Sequence, residues 1–115
     1  MIDIGTFSDT LAQYRKHGWQ LARLLVNGEP SPELSGLIGS ASVHDAAFDA
    51  AWFTRSARPG TITWELRYLG PSPLALVSVV AEDAELESEL EFQQERLLEM
   101  ISRKMPGEEA KNGTS

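Results

Sequence analysis

The chain contains no cysteine. Disulfides, thiolate nucleophiles and cysteine-ligated zinc are thereby excluded. Positive charge is scarce: Lys and Arg number 10 against 17 Asp and Glu, a formal net charge of −7 at pH 7. Nucleic acids and anionic membrane surfaces are held mainly by cations that neutralise phosphates, so this balance argues against both as partners. Long hydrophobic runs are missing as well. The most apolar stretch, Pro73 to Ala81, is far too short to span a bilayer. The opening Met1-Ile2-Asp3-Ile4 has neither the cationic region nor the apolar core of a secretion signal. A cytoplasmic protein is the expectation. No glycine run fits a phosphate-cradling loop, so no nucleotide cofactor is implied.

What is present is ordinary for a globular domain: 115 residues, 42% hydrophobic and 23% charged. The clearest element is Thr61 to Leu69, between Pro59-Gly60 and Gly70-Pro71. Ile62, Trp64, Leu66 and Tyr68 alternate with Thr61, Thr63, Glu65 and Arg67. A period of 2 is that of a strand with one buried and one wet face. A hairpin joins it to a strand over roughly Phe48 to Arg55, although Ala46, Ala47, Ala50 and Ala51 also favour helix over 43–53. A third strand, Leu74 to Val80, is apolar on both faces, as a central or covered strand would be.

Three helices complete the reading. Phe7, Leu11, Tyr14, Leu21 and Leu25 recur at helical spacing, which predicts one helix from an N-cap at Thr6 or Ser8 to Asn27-Gly28, with Gly18 inside it. Ser31 followed by Pro32 starts a short second helix that Gly39 stops. Asp83 to Lys104 is a long helix with a Leu86, Leu90, Leu97 and Ile101 seam, interrupted by Gln93. The predicted fold is α+β: an N-terminal helix, a short second helix, a three-stranded antiparallel meander and a long C-terminal helix packed on one sheet face. The helices cover the Trp64 face, leaving the Glu65 face exposed or in an interface. Residues 1–105 form the domain, and 106–115 read as a disordered polar tail.

Catalytic material is thin. Ser42, His44 and Asp45 are the only acyl-transfer candidates, with no G-x-S-x-G elbow beside them. His44, Asp45 and Asp49 are the only histidine–carboxylate cluster and lack a fourth ligand. No catalytic or metal residue is therefore assigned, although a minor enzyme using His44 and Asp45 stands as a third possibility. Charge is the stronger signal. Glu82, Asp83, Glu85, Glu87, Glu89 and Glu91 precede the first basic residue at Arg96, whereas segment 10–28 carries Arg15, Lys16 and Arg23 and no acid. The leading expectation is a small acidic protein–protein interaction module, non-enzymatic and homodimeric. Glu82, Glu85, Glu87, Glu89 and Glu91 would meet a basic partner, and Gln93 would set register between paired helices. The alternative is a small-ligand site between sheet and helices, lined by Trp19, Trp52, Trp64 and Tyr68.

Overall fold

The computed structural model describes residues 2–56 and 58–104. Its elements are α1 (Ile4–Lys16), β1 (Gln20–Val26), α2 (Pro32–Ile38), β2 (Ser42–Asp45), β3 (Ala50–Arg55), β4 (Thr61–Tyr68), β5 (Ala75–Ala81) and α3 (Leu86–Lys104). The α+β class holds, but the sheet has five strands in the order β2-β1-β3-β4-β5. The expected meander is present as β3-β4-β5. Two strands were missed beside it: β1, antiparallel to β3, and β2, parallel to β1. The expected tail, 106–115, lies outside the described residues.

The first helix ends well before the predicted stop, at Lys16 rather than at Asn27-Gly28. Asp3 caps it, its carboxylate accepting the Thr6 amide at 2.8 Å, in place of Thr6 or Ser8. Gly18 is not interior: it sits just past the C-terminus at φ 88°, a conformation that favours glycine. The Gly18 amide donates to the Arg15 carbonyl at 3.1 Å and the Trp19 amide to the Tyr14 carbonyl at 3.0 Å, closing the last turn. The chain then runs on as β1. Leu21 and Leu25, four apart, fit a helix by spacing alone; in β1 the pairing with β3 shifts between Leu21 and Arg23, and Leu21 packs with the α1 and α2 cluster while Leu25 packs under α3. The extra residue breaks strict alternation within the strand. The second helix follows its local signals: Ser31 accepts the Leu34 amide at 3.2 Å, Pro32 opens the helix and Gly39 ends it.

Helices cover both faces of the sheet, in contrast to the one-sided packing expected. Against one face, α3 buries Leu90 and Leu97 on Leu25, Trp52, Trp64, Leu66 and Val80. Against the other, α1 and α2 place Phe7, Leu11, Leu34 and Ile38 on Leu24, Val26, Ala51 and Phe53. This second layer stops short. It covers β1 and β3 and reaches β4 through Tyr14, whose ring stacks on Phe53 with centroids 3.8 Å apart and whose hydroxyl donates to Glu65. Beyond Tyr14, the same face of β5 lies open. That overturns the central or covered position expected for the third strand: β5 is an edge, and only its α3 side is packed.

Candidate functional site

The predicted aromatic pocket does not assemble. Trp52, Trp64 and Tyr68 sit in the α3-side core, whereas Trp19 packs with the α1 and α2 cluster on the opposite face. Trp52 is 0% exposed. Its ring meets Trp64 edge-on at 5.7 Å, and its indole N–H donates to Gln94 Oε1 at 2.9 Å. These rings fill the layer between sheet and helix, as large aromatics on the inner face of a small sheet do. Trp19 instead lies under the guanidinium of Arg55, 4.6 Å from its ring centroid. The largest of the clefts described, about 400 Å³, is elsewhere, between Ile2, Val26, Leu34 and the rim carboxylates Glu29, Glu33 and Asp49.

The acidic residues divide by what they touch. Glu87 takes both terminal nitrogens of Arg23, at 3.0 and 2.5 Å. That bidentate bond holds the Glu87 carboxyl below the usual range. Glu89 accepts from Gln93 at 3.0 Å and from the Ser78 hydroxyl at 2.7 Å, and its pKa is lowered by those two bonds in that order. Glu82, Glu85 and Glu91 are exposed. Gln93 is 6% exposed. Its amide donates to Glu89 and its carbonyl accepts from Arg96 at 3.1 Å, so both the nitrogen and the oxygen are bonded within the chain.

The catalytic and metal candidates come apart. Residues 42–45 form β2, not a helix N-terminus, so Asp45 and Asp49 share no helix face. Asp49 accepts the Asn27 amide at 2.9 Å. Ser42 Oγ and His44 Nε2 are 2.8 Å apart on the exposed edge strand. The carboxylate in electrostatic contact with His44 is Glu87, both of whose oxygens are engaged by Arg23. Among the described residues, the His44 ring is hydrogen-bonded to Ser42, and no hydrogen bond joins it to Glu87. Among the described residues, no cluster of three metal-ligating side chains occurs.

What sequence reading missed is the surface beside the Tyr14–Glu65 contact. Burial first, and then the Glu65 hydrogen bond, push the Tyr14 phenol up to about 12. Next to this pair, Thr63 stands opposite Val79, and Glu65 opposite Val77. Val77 and Val79 are 59% and 65% exposed. The signal was present in the sequence, since β5 is apolar on both sides, but it read as burial. No protein-family model, curated protein or solved structure matches this chain. Among the described residues, no helix is long and apolar enough to cross a membrane.

Proposed function

We propose that this chain is a non-enzymatic protein–protein interaction module that works as a homodimer and offers the acidic side of α3 to a basic protein partner. The observation that carries the reading is the uncovered side of the edge strand β5, where Val77 and Val79 are exposed. Exposed edge strands are ordinarily guarded by lysine, proline or a bulge. Strand β5, Ala-Leu-Val-Ser-Val-Val-Ala, has neither charge nor proline, and its pairing with β4 runs without a register shift. Such a strand fits a surface that is covered when the protein works.

Charge layout supports the same arrangement. Two chains of net charge −7 repel unless they meet where acids are few. Beyond Glu65, which is held by Tyr14, and Arg67, this face carries Thr61, Thr63, Val77 and Val79, and α3 lies on the other side of the sheet. Two copies can therefore join through β5 while Glu82, Glu85 and Glu91 stay in water for a basic partner. The small-ligand alternative has less support, because its four aromatics divide between two cores.

Sedimentation velocity on the full chain from about 1 to about 100 µM tests the homodimer, a range that brackets micromolar affinity. A dimer is expected, and a monomer throughout would overturn it. The acidic surface is tested separately with an oligolysine peptide. Binding should weaken steeply with salt and with E85K/E91K.

A further inference from the structure

The inference rests on the homodimer proposed above and names the contact that makes it. We infer that two copies join edge to edge through β5, antiparallel about a two-fold axis at Ser78, into one continuous sheet. The strand is close to a palindrome about that residue. Ala75 mirrors Ala81, Leu76 mirrors Val80 and Val77 mirrors Val79. An isologous interface requires this kind of self-matching, because each residue meets the mirror position of the other copy.

The backbone has the right phase. Leu74 accepts the Tyr68 amide at 2.9 Å, and Glu82 donates to Gly60 at 2.9 Å. Along an antiparallel strand, alternate residues direct both backbone groups to the same neighbour. Even-numbered positions of β5 therefore bond to β4, and Ala75, Val77, Val79 and Ala81 turn their N–H and C=O groups to the open edge. A two-fold axis at Ser78 sets Val77 against Val79 of the second copy, and Ala75 against Ala81. Odd position meets odd position, so these two kinds of pair can exchange hydrogen bonds, and Ser78 meets its own copy as a non-hydrogen-bonded pair. An axis midway between two residues would set odd against even and leave those groups unmatched. The valines of the two copies then form one cross-strand cluster on the open face.

The flank of α3 above β5 follows the same axis. Glu89 is bonded to Ser78, Gln93 to Glu89, and Arg96 to Gln93 along one flank. Arg103 is taken up within the helix by Glu99 at 3.0 Å. An axis at Ser78 sets the two Glu89 carboxylates on either side of it, each bonded to Ser78 and Gln93 of its own chain, and carries Arg96 of each α3 toward the acidic start of the other. The opposite edge of the sheet offers no comparable match, since β2 is four residues ending in His44 and Asp45.

The test uses full-length variants of this cysteine-free chain carrying one or two cysteines, with sedimentation alongside. Opposed non-hydrogen-bonded residues in antiparallel strands lie about 4.5 Å apart at Cα, within disulfide reach. S78C should thus oxidise to a covalent dimer. V77C alone should not, because its own copy sits diagonally at about 7–8 Å, whereas V77C/V79C should. V77K/V79K should weaken dimerisation on the order of tenfold or more through like charges across the pair, with the far-UV circular dichroism of the monomer unchanged. V77K/V79E, which opposes unlike charges, should recover it. A dimer that gives no S78C disulfide and resists V77K/V79K overturns edge pairing and leaves the homodimer standing. Linkage through V77C or V79C alone, without S78C, overturns this register. A monomer at every concentration overturns both the inference and the homodimer.

Discussion

The two faces of the sheet differ in how far their helices reach. On one side, α3 lies over β4 and β5 and extends by side chains to β3 and β1, through Gln94 on Trp52 and Glu87 on Arg23. On the other, α1 and α2 close over β1 and β3 and end at Tyr14 on Glu65. Strand β5 is apolar toward both sides, yet only Ser78 and Val80 are buried, under α3. Hydrophobicity along a strand thus states what could be covered. Where the helices dock decides what is covered.

The largest effect that would break this comparison is in the α3-side core. Trp52→Ala removes a fully buried indole and its bond to Gln94, and should cost about 3–5 kcal/mol of unfolding free energy in a denaturant titration. A loss below about 1 kcal/mol would mean that α3 does not hold the sheet as described. Next comes Gly70→Ala. An added Cβ would stand 2.2 Å from the Tyr68 ring, so that ring must move, at about 1–3 kcal/mol.

On the other face, Tyr14→Phe deletes the hydroxyl donated to Glu65 and should cost about 1 kcal/mol. The same contact predicts a pH effect. Because the folded phenol titrates near 12 rather than 10, its contribution is complete below about 10 and disappears as pH rises through 12. Absorbance titration of the wild type and of the Tyr14→Phe variant should show a late phenolate step that the variant lacks. Glu87 and Glu89 behave oppositely. Their lowered pKa values give stability present above the ordinary carboxylate range and lost as pH falls through the folded values. Thermal melts should fall toward acid, and Arg23→Gln should flatten the Glu87 part of that slope. The smallest expected effect is Val77→Thr with Val79→Thr. At concentrations where the chain is monomeric, melting should change by no more than about 0.5 kcal/mol, since neither valine is packed.

Legibility followed the range of the interactions. The Ser31-Pro32 start and Gly39 stop of α2 lie within a few residues of one another and were read correctly. So was β4, whose alternation is local, and the α3 seam through Leu90 and Leu97. The α1–β1 boundary failed because Leu21 and Leu25, four apart, continue the helical stripe by spacing, and the irregular pairing at Leu21–Arg23 leaves β1 without the strict alternation that would mark a strand. Strand β2 left no hydrophobic trace, since all four side chains are exposed and it joins the sheet through its backbone pairing with β1. The Tyr14–Glu65 contact, 51 positions apart, has no local signature at all.

The sequence by itself determined the α+β class, the β3–β5 meander, the amphipathic C-terminal helix and the concentration of acid at its start. Each is a matter of period, cap or charge within one segment. Only the tertiary structure decided that Trp19 and Trp52 lie on opposite faces, that Glu87 and Glu89 bond within the chain, and that β5 is an edge with Val77 and Val79 in the open. Strand order and helix docking depend on contacts between segments distant along the chain. A residue's own neighbours carry no record of which of its two faces those segments will cover.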